Sequence, residues 1–349
     1  MKRQFLLISS AFLLLISACT HRSRVSINVM RPADITLPSE IEGFLLVDRT
    51  ELDKKNKLGL LEGILTGELP EEDKAAVQRG LSTLNSTFQS SPRFHATIAQ
   101  ERLKGNSLSA AFPAHIEWSE IERLCKKYNT EAVLAIEMFD TDFIITKGKR
   151  KTKKTVGEGD KKREVEVDEF YASGVSNVTM GIRVYDAINK KIIDEQFYKR
   201  TNTWEEAASS KAEALAKLIM KGDASSRVSA QIADQYAYRI APLPVRISRS
   251  YFRKHKRAPS IAMGARMAEV NRWEDALKAW DEGVSIADIK RAGFLRYNTA
   301  VAHEVLGDLD QAISNAQDAY IKYGNKDAQG YVRVLEGRRS DEQRLREQE

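Results

Sequence analysis

Cys19 is the residue of this chain most clearly placed to react. It follows Ile16-Ser17-Ala18, which in turn follow Met1-Lys2-Arg3-Gln4 and the apolar run Phe5 to Ile16. That run is far shorter than the ~20 residues a membrane-spanning helix needs. A short basic segment, an apolar core and small residues at a cleavage point make a secretory signal peptide. The small residues let a signal peptidase close on the chain, and the thiol directly after them takes the lipid. The expected chemistry is acylation of Cys19 once 1–18 are removed; an ordinary signal peptide with an incidental cysteine is the alternative. Cys125, the second thiol, is then left without an intramolecular partner, and no disulfide framework is expected.

Other reactive settings fail on spacing. His95, His115, His255 and His303 are scattered, and Cys125 lies near none of them. His303-Glu304 opens like a zinc-protease helix, but Gly307 stands where the second histidine belongs. A Gly-x-Ser-x-Gly elbow for a nucleophilic serine is missing. Gly157-Glu158-Gly159 is acidic and precedes no apolar helix, so it suits a hairpin tip better than a phosphate cradle. Asp140 and Asp142 read as a solvated strand end. The expectation is binding rather than chemistry: no catalytic residues, no cofactor and no metal.

Two sets of residues remain as binding candidates. Between Lys147 and Arg163 the chain carries nine Lys or Arg against two acids. Lys149, Arg150, Lys151, Lys153 and Lys154 there either contact an anionic surface or keep a loop solvated. Phe294, Tyr297, Val301 and Glu304 share one helix face. They either line a protein-binding groove or pack against a capping helix. A chaperone-type carboxylate clamp is not expected, because Ala265 and Val301 occupy the places of its asparagines.

These residues need elements to position them. The 349-residue length allows two domains. After a polar, basic tether over 19–29, an α+β domain with a mixed or antiparallel sheet is expected over 30–252. Within it, Ile41 to Asp48 reads as a buried strand, Glu71 to Ser90 as a helix stopped by Pro92, and Arg93 to Ala99 as a second strand. Ser119 is placed to cap a helix whose apolar face carries Ile121, Leu124, Cys125 and Tyr128. Ala132 to Ile136 begins a strand running towards Ile145, and alternation on both sides of 147–163 predicts a long hairpin with a mobile, basic tip. Asp186-Ala187-Ile188-Asn189 turns the chain, and Lys191 to Arg200 returns as a partner strand. Helices follow over 204–220 and 225–240, ending at Pro242 and Pro244. From 253 to 336 the chain repeats itself. Asn271-Arg272-Trp273-Glu274-Asp275-Ala276 matches Gly307-Asp308-Leu309-Asp310-Gln311-Ala312, with the two alanines 36 residues apart. That is near the 34-residue tetratricopeptide period. A small all-α, tetratricopeptide-like domain is expected there. Asp327 to Glu336 would be its capping helix, and a charged tail over 337–349 would fray.

Several of these stretches also resemble a known family. They are Met30-Arg31-Pro32-Ala33, Trp118-Ser119-Glu120-Ile121, Leu124-Cys125, Asn129 to Asp140, and Trp273 to Ala312 with Tyr297-Asn298-Thr299-Ala300. Together they resemble an uncharacterised Bacteroidota lipoprotein family known only as a domain of unknown function. That resemblance implies tetratricopeptide-like terminal helices and no assigned activity. The element order of the N-terminal domain is also similar to the curli-secretion (CsgG-like) and TolB amino-terminal domains, an analogy of topology that transfers no function. A lysine-, arginine- and glutamate-rich hairpin lacks the outward apolar alternation of a lipid-facing barrel, so a pore is not expected.

Removing 1–18 takes away Lys2 and Arg3 and no acid, so the formal charge falls from +6 to +4. That mild excess does not call for nucleic acid. Thr20 rather than aspartate follows the lipid site, which by the enterobacterial sorting rule favours the outer membrane. No acidic cluster follows Cys19, which by the Bacteroidota export signal argues for the periplasmic side. The reading is a lipid-anchored, periplasm-facing protein that binds another cell-envelope protein through its helical repeats. The alternative is an oligomeric envelope component in which the α+β domain drives self-assembly or docking.

Overall fold

The computed structural model describes residues 22–51, 70–105, 112–159 and 162–348. The chain is α+β, a sheet region with packed helices followed by a helical region, and it divides into two compact units. One is built on 32–243; the other joins the residues before 32 to 244–347.

In the first unit the sheet runs β3-β2-β4-β5-β6. Its strands are β2 (Gly43–Asp48), β3 (His95–Ile98), β4 (Ala132–Val156), β5 (Arg163–Asp186) and β6 (Lys191–Ala208). β2 is parallel to β3 and β4, whereas β4–β5 and β5–β6 are antiparallel, so the sheet is mixed. Alternate residues of a strand point to opposite faces. Phe44, Leu46, Leu134, Val178, Met180 and Ile182 pack on one face against helices α1 (Pro70–Phe88) and α4 (Lys221–Ile240). Leu45, Val47, Val133, Ala135 and Tyr185 pack on the other face against α2 (Trp118–Tyr128). Covered on both faces, β2 is buried throughout, as a central parallel strand must be.

Two local readings change. α2 starts at Trp118 with no side-chain cap bond, so Ser119 lies inside the helix rather than before it. The helix expected from Trp204 forms only as α3 (Lys211–Lys217). Trp204 pairs with Gly174, and β6 continues to Ala208 opposite Phe170. Trp204 also packs against Ala172, Ala214 and Leu218, and this burial on the sheet outweighs its helical spacing.

The second unit holds four successive helices, α5 (Pro259–Glu269), α6 (Trp273–Val284), α7 (Ile289–Leu306) and α8 (Leu309–Ile321), then α9 (Lys326–Gln348). It also holds a two-stranded sheet of β1 (Arg22–Arg31) with β7 (Leu243–Phe252). The tether expected over 19–29 is therefore a strand from Arg22 onward, and the boundary expected after 252 falls at 243. The tail expected to fray after 337 continues α9 to Gln348. Arg338 reaches Glu342 at 3.6 Å and Gln343 reaches Glu347 at 3.3 Å, side-chain pairs one helical turn apart.

Gly264 shows how closely these helices pack. A Cβ there would stand 2.3 Å from Nε1 of the fully buried Trp280, which donates to the Ile261 carbonyl at 3.2 Å. Gly264→Ala gains about 1 kcal/mol of helix propensity, but overpacking costs about 1–3 kcal/mol and Trp280 is bonded in place. The expected result is a lower denaturation midpoint. Gly330→Ala in α9, where nothing lies within 4 Å of the new Cβ, should raise it.

Candidate functional site

Phe294, Tyr297, Val301 and Glu304 do lie together on α7, but the chain's own elements cover them. Phe252 of β7 stacks on Phe294 with ring centres 4.3 Å apart and meets Tyr297 at 5.4 Å. Tyr331 of α9 lies 5.1 Å from Tyr297. Val301 is fully buried. Glu304 accepts from Arg249 of β7 at 2.7 and 2.9 Å, from Tyr331 Oη at 2.6 Å and from Arg338 at 2.9 Å. The groove expected to grip a partner is filled by β7 and α9. Packing against a terminal helix was one of the two readings open for this face; the strand β7 was not foreseen.

The five cations of the hairpin are also placed differently from a free basic patch. β4 and β5 pair continuously from Ala132–Asp186 to Val156–Arg163, with one bulge between Ile136 and Met138. β6 reaches only as far as Phe170, so the last part of this arm is two-stranded. On one face Lys149 meets Asp168 at 2.8 Å, Lys151 meets Glu166 at 3.7 Å and Lys153 meets Glu164 at 3.5 Å. On the other, Arg150 bridges Glu169 at 3.0 Å and Glu205 at 2.6 Å, and Lys154 is 4.0 Å from Glu169. Exposed pairs of this kind add little to stability, because solvent and salt screen them. Paired in this way, these five cations project a weaker field towards an anionic surface than an unpaired basic patch would. What the arm leaves open is backbone: among the described residues β2 covers β4 only to Ile136, and beyond that β5 is the one strand beside it.

Elsewhere a buried polar cluster is matched internally. Glu137, buried at the β4 bulge, takes bonds from Arg183 at 2.7 Å and from the Tyr185 hydroxyl, and Arg49 lies 3.1 Å away. Arg183 and Arg49 also donate to the carbonyls of Pro113 and Ala114 at 3.3 and 2.8 Å, and Ile116 N donates to Tyr185 Oη at 3.1 Å. The cluster ties residues 113–116 to the sheet. A polar cleft of 530 Å³ between α6, α7 and α8 is lined by Glu274, Lys278, Asp281, Arg296, His303 and Asp318. Arg296 is held there by Asp281 and Asn315 at 2.6 and 2.9 Å. Burial pushes the His303 imidazole below its usual range. Gly307, in the place of a second zinc histidine, caps α7 with φ 88°. Among the described residues no group of three or more His, Cys, Asp or Glu forms a metal site, and no helix is long and apolar enough to cross a membrane. Burial pushes the Cys125 thiol up to about 11, so it stays protonated at neutral pH. Cys19 lies outside the described residues.

One cluster went unremarked in the sequence although it is contiguous there: Arg253-Lys254-His255-Lys256-Arg257, directly after β7. Its four Lys and Arg side chains are exposed, and Arg253 alone among them pairs with a described carboxylate, Glu269 at 2.8 Å.

Comparison with known proteins gives families without assigned activity. A search against curated proteins returns no match. Among solved structures, the PelC dodecamer from Paraburkholderia phytofirmans aligns at 11% identity over 63% of this chain and 99% of its own, with a TM-score of 0.25. A minor lipoprotein from Acinetobacter baumannii aligns at 9% identity over 58% and 98%, TM-score 0.23. A putative neuraminyllactose-binding hemagglutinin homolog from Helicobacter pylori aligns at 14% over 58% and 90%, TM-score 0.26. These scores are too low to bear on fold or function. The family models are more informative. Residues 262–337 match a second Domain of unknown function, DUF6340. Residues 41–252, more than half of the sequence, match the first, and the chain belongs to the family described as Domain of unknown function (DUF8603).

Proposed function

We propose that this protein is a lipid-anchored, periplasm-facing component of the cell envelope that binds another envelope protein and carries out no chemistry. Its tetratricopeptide-like hairpins act in this reading as a closed clamp on β7. The binding surface is the arm of β4 and β5. The observation that carries this is the edge of β4 beyond Ile136, which no strand among the described residues covers, a row of backbone donors and acceptors suited to strand addition. Lys149, Lys151 and Lys153 are each paired with an acid across the hairpin, which lessens their repulsion of an incoming strand. Self-association through the same arm is the second reading. It is favoured by the basic row Lys149, Lys151, Lys153 on one strand and the acidic row Glu164, Glu166, Asp168 on the other.

The test is crosslinking in native envelopes. A photo-reactive residue at Thr152 is compared in the full chain and in a control labelled at Gln317, an exposed position on α8. A third chain has 149–170 replaced by Asn-Gly between the paired Gly148 and Tyr171. The expected result is a discrete adduct from Thr152, absent from the control, and loss of that partner from the shortened chain. The same partner set from full and shortened chains would remove the arm as the binding surface. Light scattering of the extracted protein separates a second copy from a different partner. In a high-salt wash that screens electrostatic contacts, Cys19→Ala should move the chain from the membrane to the soluble fraction; unchanged sedimentation with membranes under that wash would sink the anchored reading.

A further inference from the structure

The start of β1 and the loop after β7 meet at one corner of the helical unit. Arg22 donates to Ser250 Oγ at 3.3 Å, and its guanidinium carbon stands 4.4 Å from the centre of the Phe252 ring. Glu269 Oε1 accepts from both Ser23 Oγ at 3.2 Å and Arg253 Nε at 2.8 Å. The first residues of β1 are thereby fixed beside the loop Arg253–Arg257. His255 anchors that loop, its ring 6.0 Å from Phe294, while Lys254, Lys256 and Arg257 are exposed and pair with no described carboxylate. Lys290, exposed at the start of α7, faces the same histidine. Asp288, the acid among the described residues that acts on His255, is occupied by Arg291 at 2.9 Å.

We propose that this loop is a membrane-contact site, its cations meeting the phosphate headgroups of the anionic leaflet that holds the acyl chains of Cys19. The proposal rests on the anchored reading above for its geometry. Cys19 precedes Arg22 by three residues, a span of at most about 11 Å even when fully extended. The surface potential of an anionic leaflet decays over a Debye length of about 8 Å at physiological salt. A strand that begins no more than about 11 Å from the lipid, little over one decay length, puts its neighbouring loop where part of that potential is still felt. An acyl anchor plus a basic patch is a two-signal attachment, in which the patch fixes orientation as well as adding affinity. Lys149, Arg150, Lys151, Lys153 and Lys154 of the hairpin are less suited to this part, because each already has an acid beside it. The loop cations can take it.

The experiment uses the full mature chain with Cys19→Ser, so that the patch is read without the acyl chains. Vesicles of equal parts phosphatidylcholine and phosphatidylglycerol are compared with phosphatidylcholine alone by flotation. The parent should partition into the anionic vesicles, less so as salt rises. Each cation strengthens such binding by about fivefold, so K254E/K256E/R257E should weaken it by about 100-fold or more. K149E/K151E/K153E on the arm should change it little. Equal partitioning into both vesicles, or a loop variant that binds like the parent, overturns the proposal. So does full competition by inorganic phosphate at the lipid phosphate concentration, which would assign the loop to a soluble anion. Because this chain carries no lipid, failure of the Cys19 reading is detected separately, in the fractionation of the native protein.

Discussion

Glu304→Leu is expected to lower the stability of the helical unit by about 3–5 kcal/mol, the usual cost of removing one partner from a buried ion cluster. The Glu304 side chain is fully buried, with Arg249 and Arg338 only 15% and 16% exposed on either side. Leucine fills the volume but leaves two guanidinium groups and the Tyr331 hydroxyl without their shared acceptor. Glu304→Gln keeps the shape and an acceptor for Tyr331, and should cost less. Urea unfolding checks the size, and native-state hydrogen exchange on α7 and α9 reads this unit by itself. A leucine variant within about 1 kcal/mol of the parent would mean that the arginines find water instead, and that the cluster is less enclosed than its bonds indicate. The pH dependence follows from the same bonds. Burial opposes ionisation of Glu304, but hydrogen bonds from Arg249, Tyr331 and Arg338 outweigh it and hold the carboxyl below its usual range. Its stabilisation is therefore complete above the unfolded value of about 4.3 and is lost as pH falls through the lower folded value.

Local pattern made some of this visible and hid the rest for a physical reason. The buried run at Phe44 to Val47 and the helix face of Ile121, Leu124 and Cys125 depend on near neighbours, and both are where the sequence puts them. Gly264 and Trp280 likewise announce a close helix crossing. β1 was legible as alternation in Val25, Ile27 and Val29, yet a strand needs a partner, and β7 lies more than two hundred residues away. With β7 missed, the face of α7 carrying Phe294 and Tyr297 looked open. The hairpin charges failed similarly: nine cations stand out in a linear count, whereas the pairing of Lys149, Arg150, Lys151, Lys153 and Lys154 with acids depends on register. Lys151 meets Glu166 only because Lys151 pairs with Asp168 one diagonal away. The run at 253–257 was plain to see, but its meaning comes from Ser23 and Arg253 sharing one carboxylate oxygen of Glu269.

Glu137→Leu should destabilise the α+β unit by a similar amount, about 3–5 kcal/mol, since Arg183 is 6% exposed and loses its buried counter-charge. The damage should spread along the 113–116 segment, where Arg49, Arg183 and Tyr185 hold Ala114, Pro113 and Ile116. Faster hydrogen exchange at Ile116 would report it, and an unchanged Ile116 amide would show that the segment is held by other contacts. The proton behaviour is opposite to that of Glu304. Burial pushes the Glu137 carboxyl above its usual range, although Tyr185, Arg49 and Arg183 all favour its charged form. Tyr185, pushed up to about 12 by burial and then by Glu137, remains a donor throughout. A raised folded value means a contribution that is full below the unfolded pKa of about 4.3 and is lost as pH rises through the folded one. The two windows meet at the unfolded value. Glu304 makes the helical unit more stable as pH rises towards it, and Glu137 makes the α+β unit less stable as pH rises beyond it. Glutamine at either position removes that residue's contribution to its unit's slope and leaves the other's in place, so unit-resolved exchange of each variant against the parent distinguishes a carboxylate held by its arginines from one resisted by its burial.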